Sequence, residues 1–130
     1  MGNMNREKNR AVWFDLPVED LDRAAEFYRH VLAVGVDIEE FNGTRFGVIE
    51  HEDGNGGCLV IRSEEITATK GVLIYLNVHG RINDAIECVN NYGGEVIEEV
   101  HSIGPHGLRA IILDTEGNRI ALHSDHVDDA

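Results

Sequence analysis

Seven histidines and twenty-four carboxylates in a chain of 130 residues offer two kinds of chemistry, metal ligation and proton transfer. Spacing separates them. A transition-metal site needs three or four converging nitrogen or oxygen donors, usually imidazole with carboxylate. His51, Glu52 and Asp53 are contiguous, and neighbours on a strand point to opposite faces. His101 and His106 lie near a loop, while His123 and His126 follow the last strong strand position. None of these has the spacing of a metal motif. For proton transfer, Ile103-Gly104-Pro105-His106-Gly107 fixes a turn around one imidazole, a group that as a class titrates near neutrality. His106 is there either to bind and shuttle a proton or to face water at the mouth of a strand. Asp15 interrupts an apolar strand pattern. Buried, it must be paired or neutral, and would suit a general base or an amine anchor; exposed beside Pro17, it is ordinary. Gly54, Gly56 and Gly57 occupy a hairpin turn without the lysine or the following helix of a phosphate site. Ser63, Ser102 and Ser124 form no recognisable triad.

The elements that must position these groups repeat. Val12–Val18 followed by a helical pattern from Leu21 returns as Val72–Val78 followed by a helical pattern from Ile82. Val12, Leu16 and Val18 correspond to Val72, Leu76 and Val78. Such a repeat constrains how the whole chain is built. It predicts two βαβββ-like halves, about 11–62 and 71–124, joined by the polar linker 63–70 within one domain, 1–130. Asp20 is placed to cap the first helix, whose stripe Leu21, Ala24, Ala25, Tyr28, Val31 and Leu32 faces a sheet. Gly93-Gly94 stops the second helix. Further strands are expected at Arg45–Glu52, Cys58–Arg62, Glu95–Val100, Leu108–Leu113 and Arg119–His123, with one strand of the first half unplaced. Strand alternation puts Trp13 and Asp15, then Leu73, Tyr75, Asn77 and His79, then Arg119, Ala121 and His123 on the inner face. That is an apolar surface with a few polar groups, the usual composition of a small-molecule pocket.

Size and charge bound the functions. The length suits a single hydrophobic core. A net charge of −13 opposes nucleic acid and anionic membranes; it would attract a cation, but also serves solubility. No apolar run reaches the length of a membrane span. The stretch Met1–Arg10 has no signal-peptide pattern, so a cytoplasmic location is expected. Cys58 and Cys88 lack partner spacing and read as buried free thiols.

Leu16-Pro17-Val18-Glu19-Asp20-Leu21-Asp22-Arg23-Ala24 with Phe27-Tyr28, and the closing run Leu113-Asp114-Thr115-Glu116-Gly117-Asn118-Arg119-Ile120-Ala121-Leu122, resemble the vicinal oxygen chelate superfamily of glyoxalase, extradiol dioxygenase and bleomycin- or fosfomycin-resistance proteins. The resemblance spans Val12 to His123. It implies an α+β fold, in which paired βαβββ modules form a curved eight-stranded mixed-sheet cup with helices outside, commonly as a homodimer. In the family's metalloenzymes, the ligand positions correspond here to Trp13, Leu73 and Ala121, whose side chains cannot chelate a divalent ion. The expectation is therefore a protein with no metal or other cofactor that binds a small organic molecule through Trp13, Asp15, Leu73, Tyr75, Asn77, His106, Ala121 and His123. Two alternatives stand beside it. One is a glyoxalase-like lyase or isomerase using Asp15, His106 or His123 for proton transfer; the other is a structural or regulatory dimer with a filled cup.

Overall fold

The computed structural model describes residues 10–129; the reading of the N-terminal stretch falls largely outside them. The repeat is built as expected, in the order β1 (Trp13–Val18), α1 (Leu21–Val31), β2 (Val36–Phe41), β3 (Thr44–Ile49) and β4 (Gly56–Ile61), then β5 (Ile74–Asn77), α2 (Ile82–Asn91), β6 (Glu95–Ser102), β7 (Leu108–Leu113) and β8 (Arg119–Ser124). Each half folds into a four-stranded sheet, β1-β4-β3-β2 and β5-β8-β7-β6. In each, the first strand pairs parallel with the last and the others pair antiparallel. The eight strands are thus two mixed sheets, and the α+β architecture holds.

The helices begin and end where their residues dictate. The Asp20 carboxylate accepts from the Arg23 amide at 3.0 Å, capping α1. Leu21, Ala24, Ala25, Phe27, Tyr28 and Val31 are buried along its inner stripe. Beyond α2, Gly93 adopts φ +94° and the Gly94 amide donates back to the Val89 carbonyl at 2.8 Å, a glycine stop of the expected kind. α1 packs against α2. Even-numbered residues of the central strands, among them Leu16, Val18, Leu76, Val78, Ile120 and Leu122, are buried in the core. The odd-numbered ones point to the opposite faces of the sheets.

The strand left unplaced is β2. It pairs with β3 through Phe41 and Thr44, and Asn42 and Gly43 between them have φ of 53° and 79°. That is a two-residue turn with both centres left-handed, which asparagine-glycine favours. β4 begins two residues earlier than expected, because Gly56 and Gly57 belong to the strand. They are there for closeness of approach: a Cβ on Gly57 would lie 2.5 Å from both the Phe14 ring and the Phe14 carbonyl oxygen. No helix among the described residues is long and apolar enough to cross a membrane.

Candidate functional site

Ladder register builds a polar row across the second sheet. Asn77 pairs with His123, His123 with Arg109, and Arg109 with His101. Directly opposed strand residues point to the same face, so all four belong to one surface. Beside them runs a second row, Tyr75, Ala121, Ile111 and Glu98. Two register slips in β6, between Val96 and Glu98 and between Glu98 and His101, place His101 rather than Glu99 opposite Arg109.

Arg109 organises the surface. Its Nη1 donates to the Tyr75 hydroxyl at 2.8 Å, and Nε and Nη2 lie 3.3 and 3.1 Å from His101 Nε2. His101 Nδ1 lies 2.8 Å from the Glu99 carbonyl. The two contacts together define the His101 tautomer: Nδ1 carries the hydrogen and donates, while Nε2 accepts from the guanidinium. His123 Nε2 lies 2.6 Å from the His106 carbonyl and donates to it, which leaves Nδ1 as the acceptor. The rings of Tyr75 and His123 are 6.4 Å apart. Tyr75 is 46 % exposed.

The expected site residues divide into two groups. Tyr75, Asn77, Ala121 and His123 come together on the second sheet, and His106 joins them through its backbone while the residue itself is exposed. Asn77 also accepts from the His79 amide at 2.8 Å. Leu73 is half-buried just before β5 begins. Trp13 and Asp15 belong to the first sheet. Trp13 stands edge-on to His51 at 5.7 Å. Asp15 is exposed and accepts from the Cys58 thiol at 3.3 Å. Burial pushes that thiol up to about 11; Trp13 opposes the shift and Asp15 adds to it. Among the described residues, no hydrogen bond, ion pair or ring contact joins Trp13 or Asp15 to the Tyr75 group. Arg109 and His101 were not anticipated. Arg109 could have been found by counting back from the Asp114–Asn118 turn, since it opposes His123; His101 could not, because the two slips in β6 decide which residue lies opposite Arg109.

Cavities lie elsewhere. One of about 350 Å³ is lined by Phe14, Leu32, Ile49, His51 and Leu76, with Asn77 at its wall. Another, about 240 Å³, holds Asp15, Thr67, Lys70 and Arg119, and Arg119 Nε is buried without a hydrogen-bond partner. A third, of about 500 Å³, is a shallow hollow around Asp20, Arg23 and Arg45. Neither Trp13 nor Tyr75 lines any of these three.

The metal that the resemblance implies does not fit the donors present. Trp13, Leu73 and Ala121 offer an indole, an isobutyl group and a buried methyl. Among the described residues, no group of three or more histidine, cysteine, aspartate or glutamate side chains is placed to hold an ion.

Residues 10–42 match the family model described as bleomycin resistance protein-like N-terminal. No curated protein matches the sequence significantly. Solved structures do match the fold. The genomically encoded fosfomycin resistance protein FosX of Listeria monocytogenes superposes with a TM-score of 0.69 at 14% identity, covering 91% of this chain and 91% of that one. Hypothetical protein SA1046 of S. aureus gives 0.65 at 21% identity, covering 88% and 92%. A glyoxalase-related enzyme from Fulvimarina pelagi gives 0.66 at 15% identity, covering 88% and 87%. The chain therefore has the vicinal oxygen chelate fold, the architecture of the glyoxalase, bleomycin resistance and dioxygenase proteins.

Proposed function

We propose that this protein binds a small organic molecule on the open face of its second sheet, without a metal ion. The carrying observation is the pairing of Tyr75 and Arg109, which sets a flat aromatic ring beside a cation, while Trp13, Leu73 and Ala121 hold no donor for an ion. An apolar floor with a few oriented polar groups is what small-molecule sites use. The half-exposed Tyr75 ring supplies that apolar surface, Ala121 and Ile111 being buried, and Asn77, His101 and His123 border it. Trp13 and Asp15 lie on the neighbouring sheet, and Leu73 and His106 at the strand ends. The reading includes a single domain of two modules with linker 63–70, a homodimer, and a cytoplasmic location.

The test is a protein-observed NMR screen of a broad organic library on protein stripped with a chelator, repeated after adding zinc. Binding that perturbs Tyr75 and His123 equally in both states is expected. Stoichiometric metal in untreated protein, lost together with ligand binding, would overturn the reading.

One observation favours proton transfer as a second reading: the His106 carbonyl fixes His123 with its Nδ1 lone pair available. His123→Gln then abolishes turnover while leaving ligand affinity within about threefold; loss of affinity alone returns His123 to a binding role.

A further inference from the structure

The Arg109 guanidinium has five N–H groups. Three are directed to Tyr75 and His101, and the remaining two, one on each Nη, have no acceptor among the described residues. No carboxylate lies within ion-pair distance of it there, although the chain carries a net charge of −13. Tyr75, accepting from Arg109, keeps its own hydroxyl hydrogen to donate. Three donors thus gather on one half-open face, around a cation whose partners are neutral. Glu98 Oε1 lies 4.0 Å from His101 Nε2. It takes neither free N–H of Arg109.

Resting on the proposed binding face, we infer that Arg109 and Tyr75 form an oxyanion-recognition site, and that the ligand bears a carboxylate or a phosphorus oxyanion. The two free N–H groups of a guanidinium match two oxygens of such a group in a single plane, and the Tyr75 hydroxyl supplies a third hydrogen bond. His101 has the role of a positioning residue: by accepting from Nε and Nη2 it fixes the guanidinium plane, so the free N–H groups keep their orientation. The strongly acidic surface makes this local cation selective, because an anion is repelled everywhere except where directed donors outweigh the general field. The half-exposed Tyr75 ring would receive the organic body of the ligand.

Four probes of one shape test the inference by proton–nitrogen NMR of the full chain: benzoate, phenylphosphonate, benzamide and benzylamine. Benzoate or phenylphosphonate is expected to shift Tyr75, Arg109 and His123 signals saturably, and the tighter of the two identifies the oxyanion. Benzamide and benzylamine are expected to leave them in place. Arg109→Gln should weaken the anion by roughly tenfold or more, and Tyr75→Phe by a few-fold. Arg109→Lys, which keeps the charge and removes the fork, should fall between wild type and Arg109→Gln. His101→Phe should weaken the anion while leaving the Tyr75 signals folded and dispersed. If Arg109→Gln binds benzoate as wild type does, or if the neutral or cationic probe binds this face equally well, the oxyanion site is overturned and the binding face stands. If neither these probes nor the wider library perturbs the face, both fail.

Discussion

The Tyr28 hydroxyl donates a 2.7 Å hydrogen bond to Oδ2 of Asp114, a residue 86 positions further on, and both groups are buried. Around this bond the two family motifs close on each other. Asn118 Nδ2 donates to the Pro17 carbonyl at 2.6 Å and to Asp114 Oδ2 at 3.0 Å. Glu116 accepts from the Glu19 and Asp20 amides at 2.9 and 2.7 Å, and from Arg23 Nε at 2.8 Å. The turn of the second module thus satisfies two amides just ahead of α1 and adds a favourable negative charge near its N-terminus. Both motifs are spent on joining modules, which is why they mark the fold and leave the ligand unspecified.

Tyr28→Phe should destabilise the protein by about 1–3 kcal/mol, the usual cost of leaving a buried acceptor short of a partner. Burial raises the Asp114 pKa, and the hydrogen bonds from Tyr28 and Asn118 hold it back. Losing the phenol therefore costs most when Asp114 is ionised. Urea unfolding should show the difference between Tyr28→Phe and wild type shrinking as pH falls through the Asp114 titration.

Glu116 titrates in the opposite sense. Burial pushes its carboxyl up, but hydrogen bonds from Arg23, the Asp20 amide, Thr115 and the Glu19 amide together bring it from 4.5 down to about 2. Its folded pKa lies below the unfolded one, so its stabilisation is full above 4.5 and is lost as pH falls towards 2. Glu116→Gln should be less stable than wild type near neutrality. It should also lose less stability than wild type across that acid window. Equal acid slopes for the two proteins in urea unfolding would contradict the assignment.

Gly57→Ala is expected to cost more than the small entropic benefit of removing a glycine. The added methyl meets the Phe14 carbonyl oxygen at 2.5 Å, and backbone cannot swing aside. Overpacking of this kind costs about 1–3 kcal/mol, read as a lowered unfolding midpoint. Gly43→Ala provides the contrast. Its methyl meets nothing within 4 Å, but φ is 79°, so its cost is backbone strain alone, on the order of 1 kcal/mol.

Cys58, with its thiol raised to about 11 by burial, should react slowly with a thiol reagent in the folded protein near pH 8, since the thiolate is the nucleophile. Cys88, half-buried and raised less, should react first. Mass spectrometry after partial labelling reads the order directly, and early modification of Cys58 would reverse it.

The sequence by itself determined the repeat, both helices with the cap of the first and the stop of the second, the inner and outer faces of the central strands, and the absence of donors at Trp13, Leu73 and Ala121. These are local properties, written in periods of 2 and 3.6 residues and in the chemistry of single side chains. It left β2 unplaced because Val36-Asp37-Ile38-Glu39-Glu40-Phe41 is a mostly exposed edge strand whose apolar alternation breaks at Glu40, although Gly43 marked the connection after it. It read Gly56 and Gly57 as turn residues because glycine serves both left-handed backbone and close approach, and only the neighbouring Phe14 distinguishes the two. Tertiary structure alone decided which polar groups share a surface. Two register slips in β6 carry His101 to Arg109, and no count along the chain reveals a bulge, since it is set by how one strand lies against its neighbour.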